Sequence, residues 1–283
     1  MKSIMIQGTA SNVGKSVICT GLCRIFRQDG YSVAPFKSQN MTSNSFVTKE
    51  GLEMGRAQAV QAEAAGIKPS IDMNPILLKP VDGKTQVIFH GEVFDYADAK
   101  KYHGYRDLAA QKIRESWERL SPQYDFVIIE GAGSPAEINL KDSDVSNMFT
   151  AKLTNSPVLL VGDIDPGGVF AQIVGTNVIF DDEERRYFKG VLINKFRGDV
   201  SLLKPGFDML ENMIKRPVLG VIPYGDFDIE EEDSMSRRSN AHNTDKKNKN
   251  DKSYREVQYN LLADTIRKSV DIEKIYSIID KGV

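Results

Sequence analysis

The sequence predicts an α/β fold: a mostly parallel sheet with helices on both faces, followed by a helical tail. Three observations carry that prediction. Short apolar runs recur without period-two alternation, as strands covered on both faces require. Stretches with apolar residues at helical spacing separate them. A glycine-rich loop joins the first such run to the first such stretch, and the alternation as a whole implies parallel pairing through helical crossovers.

The elements follow in order. Residues 3–7 form the first strand, and 15–29 a helix with Val17, Ile18, Leu22, Ile25 and Phe26 at helical spacing and Gly30 as its stop. A strand at 32–36 precedes helices at 51–65 and 107–120. Strands at 126–130, 158–162, 190–194 and 218–222 are then interleaved with helices at 169–180 and 202–214. After Tyr224 the character changes. Residues 230–233 are all acidic, and 236–251 hold no large apolar side chain, so 230–252 is expected to be a polar flexible linker. Helical spacing returns in Val257, Leu261, Leu262 and Ile266, then Ile272, Ile275 and Ile278. The expected organisation is thus one sheet domain over 1–229, the linker, and a helical tail over 253–283.

Composition narrows the function. The chain has 283 residues, with 37 Lys plus Arg against 39 Asp plus Glu, a formal charge of −2. That balance gives no reason to expect nucleic acid or an anionic membrane as partner. Cys19 and Cys23 lie four apart in a helical stretch with no other metal ligand nearby, and read as buried thiols. The apolar run at 4–6 is too short for a leader, and no stretch nears the roughly 18 apolar residues of a membrane span. A cytoplasmic protein is expected.

The chemistry gathers where strands end. Gly8-Thr9-Ala10-Ser11-Asn12-Val13-Gly14-Lys15-Ser16 is a phosphate-cradling loop with five residues between its glycines, one more than the commonest form. Glycines let backbone N–H groups face phosphate, and the helix that follows adds its dipole. Lys15 supplies a point charge for the terminal phosphates, and the Ser16 hydroxyl suits Mg²⁺. Glu130 closes a buried strand before Gly131-Ala132-Gly133. A carboxylate there needs a cation or hydrogen bonds, and Mg²⁺ would serve. Asn194, at another strand's end, offers an amide able to pair with adenine. Lys37 either bridges a phosphate and an attacking carboxylate or is a solvated loop lysine.

Several longer motifs resemble one family. Pro35-Phe36-Lys37-Ser38-Gln39-Asn40-Met41, Gly51-Leu52-Glu53-Met54-Gly55-Arg56-Ala57-Gln58-Ala59 and Asn74-Pro75-Ile76-Leu77-Leu78-Lys79-Pro80 look like adenosylcobyric acid synthase. So do Ser134-Pro135-Ala136-Glu137-Ile138-Asn139-Leu140, Gly167-Gly168-Val169-Phe170-Ala171 and Ile193-Asn194-Lys195-Phe196-Arg197-Gly198-Asp199. The synthetase domain of that family is similar to dethiobiotin synthetase, a P-loop NTPase with the longer loop. The resemblance implies ATP-dependent amidation of corrinoid side-chain carboxylates in cobalamin biosynthesis, through an acyl phosphate. It places Gly8, Thr9, Asn12, Val13, Gly14, Lys15, Ser16 and Asn194 on ATP, and Ser16, Glu53 and Glu130 on Mg²⁺. It gives Lys37 the γ-phosphate and substrate carboxylate, and turns Gln39, Asn40, Asp142 and Asp144 towards the corrinoid.

Departures from the family are equally informative. Its class I glutaminase domain, with a Cys nucleophile, should follow Glu231-Glu232-Asp233-Ser234. No Cys occurs after Cys23, whereas 255–259 and 275–279 look like the family's extreme tail. The expectation is a chain that lacks the middle domain and takes ammonia from solution or from a separate glutaminase subunit. Pro166 stands where the family usually has Arg. Two alternatives follow: a non-catalytic ATP- or corrinoid-binding remnant, or a partitioning-type regulatory ATPase. The second lacks support from Ala10, where that class carries a signature lysine.

Overall fold

A computed structural model describes residues 1–225, 227–229 and 251–283, so the linker expected over 230–252 lies outside the described residues except for its last two positions. Among the described residues the principal sheet has six strands: β1 (Lys2–Gly8), β2 (Val33–Phe36), β9 (Phe126–Glu130), β10 (Val158–Asp163), β11 (Phe188–Phe196) and β12 (Val218–Pro223). Their order is β12-β11-β10-β1-β9-β2, and every pairing is parallel. These are the six strands the apolar runs predict.

Alternate residues of each strand feed two separate apolar layers, which is why the runs lack a polar face. Met5, Val127, Ile129, Leu160 and Ile193 point to one side, under α4 (Arg106–Leu120), α5 (Met148–Thr154), α6 (Val169–Ile179) and α8 (Lys204–Ile214). Ile4, Ile6, Ile128, Leu159 and Leu192 point to the other, under α1 (Lys15–Gln28), α9 (Lys252–Ser269) and α10 (Ile272–Lys281). The tail helices therefore complete the core. A Cβ on Gly21 of α1 would meet Ile266 Cδ1 at 2.3 Å, and Gly220 lets Ser269 O and Val270 approach β12.

The structure amends the predicted elements in the first half of the chain. The helix expected over 51–65 begins only at Arg56, as α2 (Arg56–Ala65), because Glu53–Gly55 forms β5 and pairs antiparallel with β4 (Ser45–Val47). The helix expected over 202–214 starts at Lys204, after a 3₁₀ turn. A second sheet was not anticipated: β3 (Gln39–Met41), β6 (Ile76–Val81), β7 (Lys84–Phe89) and β8 (Glu92–Ala97), in the order β3-β6-β7-β8. Its two hairpins turn at Asp82-Gly83 and His90-Gly91, both pairs at positive φ, the conformation a two-residue hairpin requires. Helices α3 (Ala99–His103) and α7 (Asp182–Tyr187), with α5, are further additions.

Candidate functional site

Strand β1 delivers the chain into the glycine-rich loop, and the loop delivers it into α1. Asn12 and Gly14 both take positive φ, and a Cβ on Gly14 would lie 2.1 Å from Asn194 Nδ2. Glycine is required there on both counts. No side chain caps α1 and no acid occupies its first turn, so its leading N–H groups suit an anion. Lys15 is folded into the loop, where Nζ donates to Ala10 O and Gly133 O, each at 2.9 Å. The loop is braced from β10 and β11: Lys195 Nζ donates to Asn12 O at 2.6 Å and pairs with Asp163 at 2.7 Å, while Thr9 Oγ1 donates to Gln172 of α6 at 2.9 Å.

Glu130 is the centre of the site. It is fully buried at the end of β9, and its Oε1 accepts from Ser16 Oγ at 2.8 Å and from Lys37 Nζ at 2.8 Å. Its Oε2 accepts from Gln61 Nε2 at 2.6 Å and faces Gln58 Nε2 at 3.4 Å. The carboxylate thus meets both its needs, a cation and hydrogen bonds, from four side chains on three parts of the fold. Lys37 is buried and ion-paired, which removes the solvated-lysine alternative. Cys19 and Cys23 lie in the core beneath; burial, and then the charge of Glu130, push both thiols above their ordinary range. They are inert packing groups.

The remaining residues divide. Asn194 turns its Nδ2 to Val13 O at 2.8 Å and supports the loop from below. Asn40 donates to Gln58 Oε1 at 3.0 Å, and Gln39 accepts from Tyr102 Oη. Asp144 accepts from the backbone N–H groups of Ser146 (2.9 Å) and Asn147 (3.0 Å), and so shapes the turn in which it sits, while Asp142 is exposed. Gln39, Asn40, Asp142 and Asp144 all line one cavity of about 1040 Å³, together with Gly14, Lys15, Ser16 and Lys37. Glu53 is placed otherwise. It accepts from Lys79 and Ser45 and is not among the residues lining this cavity. Burial alone would raise its pKa, but those two partners hold the carboxyl below the usual carboxylate range.

The donor set fits Mg²⁺. Ser16 Oγ and Glu130 Oε1 are hard oxygens converging beside the phosphate loop. Among the described residues there is no cluster of three His, Cys, Asp or Glu side chains that could cage a metal. A cation here would share its shell with phosphate and water, as Mg²⁺ does in nucleotide sites. Sequence reasoning missed Gln58, Gln61 and Lys195 as members of the site. Gln58 and Lys195 lie within motifs singled out above, but no pattern in either marked a role.

A phosphate loop between the central strand and first helix of a parallel sheet, with a carboxylate opposite its serine, defines a P-loop nucleotide-binding domain. The sequence comparison narrows this further. The profile of the CobQ/CobB/MinD/ParA nucleotide binding domain matches residues 4–236, and the chain belongs to that family. It is 61% identical over 236 residues to the cobyric acid synthase of Caldanaerobacter subterraneus subsp. tengcongensis, covering 83% of this chain and 46% of that protein. To the cobyric acid synthase of Streptococcus sanguinis it is 57% identical over 237 residues, covering 83% of this chain and 48% of that one. The chain thus spans about half the length of the curated relatives it matches. Among solved structures, the MinD cell division protein of Aquifex aeolicus aligns at 12% identity with a TM-score of 0.44, over 80% of this chain and 83% of that one. No helix among the described residues is long and apolar enough to cross a membrane.

Proposed function

We propose that this domain uses ATP to activate side-chain carboxylates of a corrinoid for amidation, the reaction class of the cobyric acid synthases it is similar to. One observation carries the reading: the buried Glu130 binds the phosphate-loop Ser16 and the strand-end Lys37 with the same oxygen, and both of those partners line a large cavity. At about 1040 Å³ that cavity lies just above the ~300–1,000 Å³ typical of small-molecule sites, as two substrates side by side would need.

In this reading Gly8, Thr9, Asn12, Val13 and Gly14 cradle the triphosphate, with Asn194 beneath for the base. Lys15 and Lys37 neutralise the transferring phosphoryl group. Ser16 and Glu130 hold Mg²⁺, with Glu53 as a further carboxylate once it parts from Lys79. Bound there, the ion would offset negative charge on the phosphates. Gln39, Asn40, Asp142 and Asp144 face the corrinoid. A substrate carboxylate oxygen attacks the γ-phosphorus, the bond to the β,γ-bridging oxygen breaks, and ADP leaves. Ammonia then attacks the acyl carbon; the C–O bond to phosphate breaks, and nitrogen loses a proton to water. The ammonia comes from solution or from a separate glutaminase subunit in the cytoplasm.

The deciding assay is ADP release with adenosylcobyrinic acid a,c-diamide. ADP and a carboxamide product are expected with ammonium chloride present and not with glutamine alone. Hydrolysis indifferent to the corrinoid would point to a regulatory ATPase, and no turnover at all to a binding remnant.

A further inference from the structure

The cage around Glu130 has two halves of different character. Ser16 and Lys37 take Oε1, on the side of the phosphate loop. Gln61 and Gln58 take Oε2, at 2.6 and 3.4 Å. Both glutamines come from α2, three residues apart, the spacing that puts two side chains on one helix face. Both are wholly buried. Gln61 Nε2 also lies 3.5 Å from Ser16 O, so it faces the start of α1 as well as the carboxylate. Gln58 is fixed in turn, because its Oε1 accepts from Asn40 Nδ2 at 3.0 Å. Gly55 leaves the room for that contact: a Cβ there would sit 2.4 Å from Asn40 Nδ2 and 2.6 Å from Gln58 Oε1.

Stability alone does not account for Gln61. Among the described residues no donor reaches its Oε1, and a buried unpaired carbonyl costs about 1–3 kcal/mol. An apolar side chain of similar length would avoid that cost. What the amide adds is a neutral N–H directed at Glu130. A second lysine would compete with a metal ion for the carboxylate's charge; an amide orients the carboxylate and leaves the charge in place.

We propose that Gln61, assisted by Gln58, is a positioning residue that grips Glu130 by Oε2 and keeps Oε1 turned to Ser16 for a nucleotide-bound divalent cation. The inference rests on the reading of this site as a metal–nucleotide site. Ligand-orienting partners of this kind typically change metal affinity 10–100-fold when removed.

The test uses the full chain with Mn²⁺ as the probe, titrated by electron paramagnetic resonance in the presence of a saturating non-hydrolysable ATP analogue. Affinity for the analogue is measured separately in EDTA. Gln61→Met is expected to weaken Mn²⁺ binding by about 10–100-fold and to leave metal-free nucleotide affinity unchanged. Gln58→Met, with its longer contact, should show a smaller loss of the same kind, and it decides the question alone if Gln61→Met fails to fold. Unchanged Mn²⁺ affinity in the folded variants overturns the proposal. So does an equal loss of metal-free nucleotide affinity, which would mark a merely structural role. A wild-type chain that binds no analogue would overturn the nucleotide reading itself, before any variant is made.

Discussion

Helix α1 lies between two neighbourhoods built on opposite principles. Its N-terminal end meets buried charge: Lys37 and Glu130 have side chains only 4% and 0% exposed. Its flank meets α9 and α10 mainly through apolar packing of Leu22, Ile25 and Phe26 against Leu262, Ile266 and Ile275, with one largely buried charge, Arg24, paired to Glu256 of α9 at 2.6 Å, and further charges at the margin. The pair Arg255–Glu63 is 29% and 28% exposed, and Lys2–Asp280 55% and 58%. Solvent-accessible pairs of this sort contribute about 0–1 kcal/mol each. A buried pair is no better as a stabiliser, since well-packed apolar residues of the same volume often do as well. The contrast shows what each region is for. The tail is held by what stabilises folds, and the strand tips keep charges that stability does not require.

The largest test of that division removes the loop cation. Lys15→Ala is expected to lower ATP turnover by about 10³-fold, the scale on which a cation at the transferring phosphoryl group acts. Urea unfolding should move less than turnover, because Lys15 donates to the backbone carbonyls of Ala10 and Gly133 within the loop region rather than to the apolar core. Unchanged turnover would remove the loop from the chemistry. Next comes the buried pair. Lys37→Met leaves Glu130 without its cation and should cost about 3–5 kcal/mol in urea denaturation. The double variant Lys37→Met/Glu130→Gln should recover most of that loss and still lack turnover. A double variant as unstable as the single one would make the pair a structural element, and the contrast would fail.

How much of this was legible in the sequence depends on how local each signal is. The six strands of the main sheet are, for the most part, unbroken apolar runs, and the phosphate loop is one contiguous stretch, so both could be read directly. The second sheet is different. Its strands mix polar with apolar residues, as in Lys84–Phe89, and β3 has three residues, so no run stands out. The Asp82-Gly83 dipeptide was the available signal for its first hairpin. The meeting of Ser16, Lys37 and Glu130 could be anticipated because Lys37 and Glu130 sit at strand ends and Ser16 opens the helix that follows the first strand's loop. Gln58 and Gln61 could not, since glutamine on a helix ordinarily reads as a solvated face. They are buried because α2 packs against α1 and β2.

A smaller effect sharpens the other side of the comparison. Ile275→Ala, in the fully buried part of α10, should cost about 2–5 kcal/mol in urea denaturation. Arg255→Ala should cost no more than about 1 kcal/mol, although it removes an ion pair to Glu63 at 2.8 Å. Neither should alter the affinity for a nucleotide analogue in EDTA. A reversal of the two magnitudes would mean that charge, and not packing, fastens the tail.

The smallest expected effect falls on Glu53, which belongs to neither neighbourhood as it stands. Its carboxylate is 20% exposed and is held by Lys79 and Ser45, on a hairpin strand that leads into α2. If it serves the metal, it must first exchange Lys79 for the cation, and that exchange consumes part of what metal binding releases. Glu53→Gln is therefore expected to weaken Mn²⁺ binding in the nucleotide complex by less than Glu130→Gln does, with a stability change within about 1 kcal/mol. Lys79→Met provides the complementary measurement: by freeing Glu53 from its partner it should tighten Mn²⁺ binding. Identical Mn²⁺ affinity in wild type, Glu53→Gln and Lys79→Met would assign Glu53 to the hairpin alone and leave Ser16 and Glu130 as the protein's own metal donors.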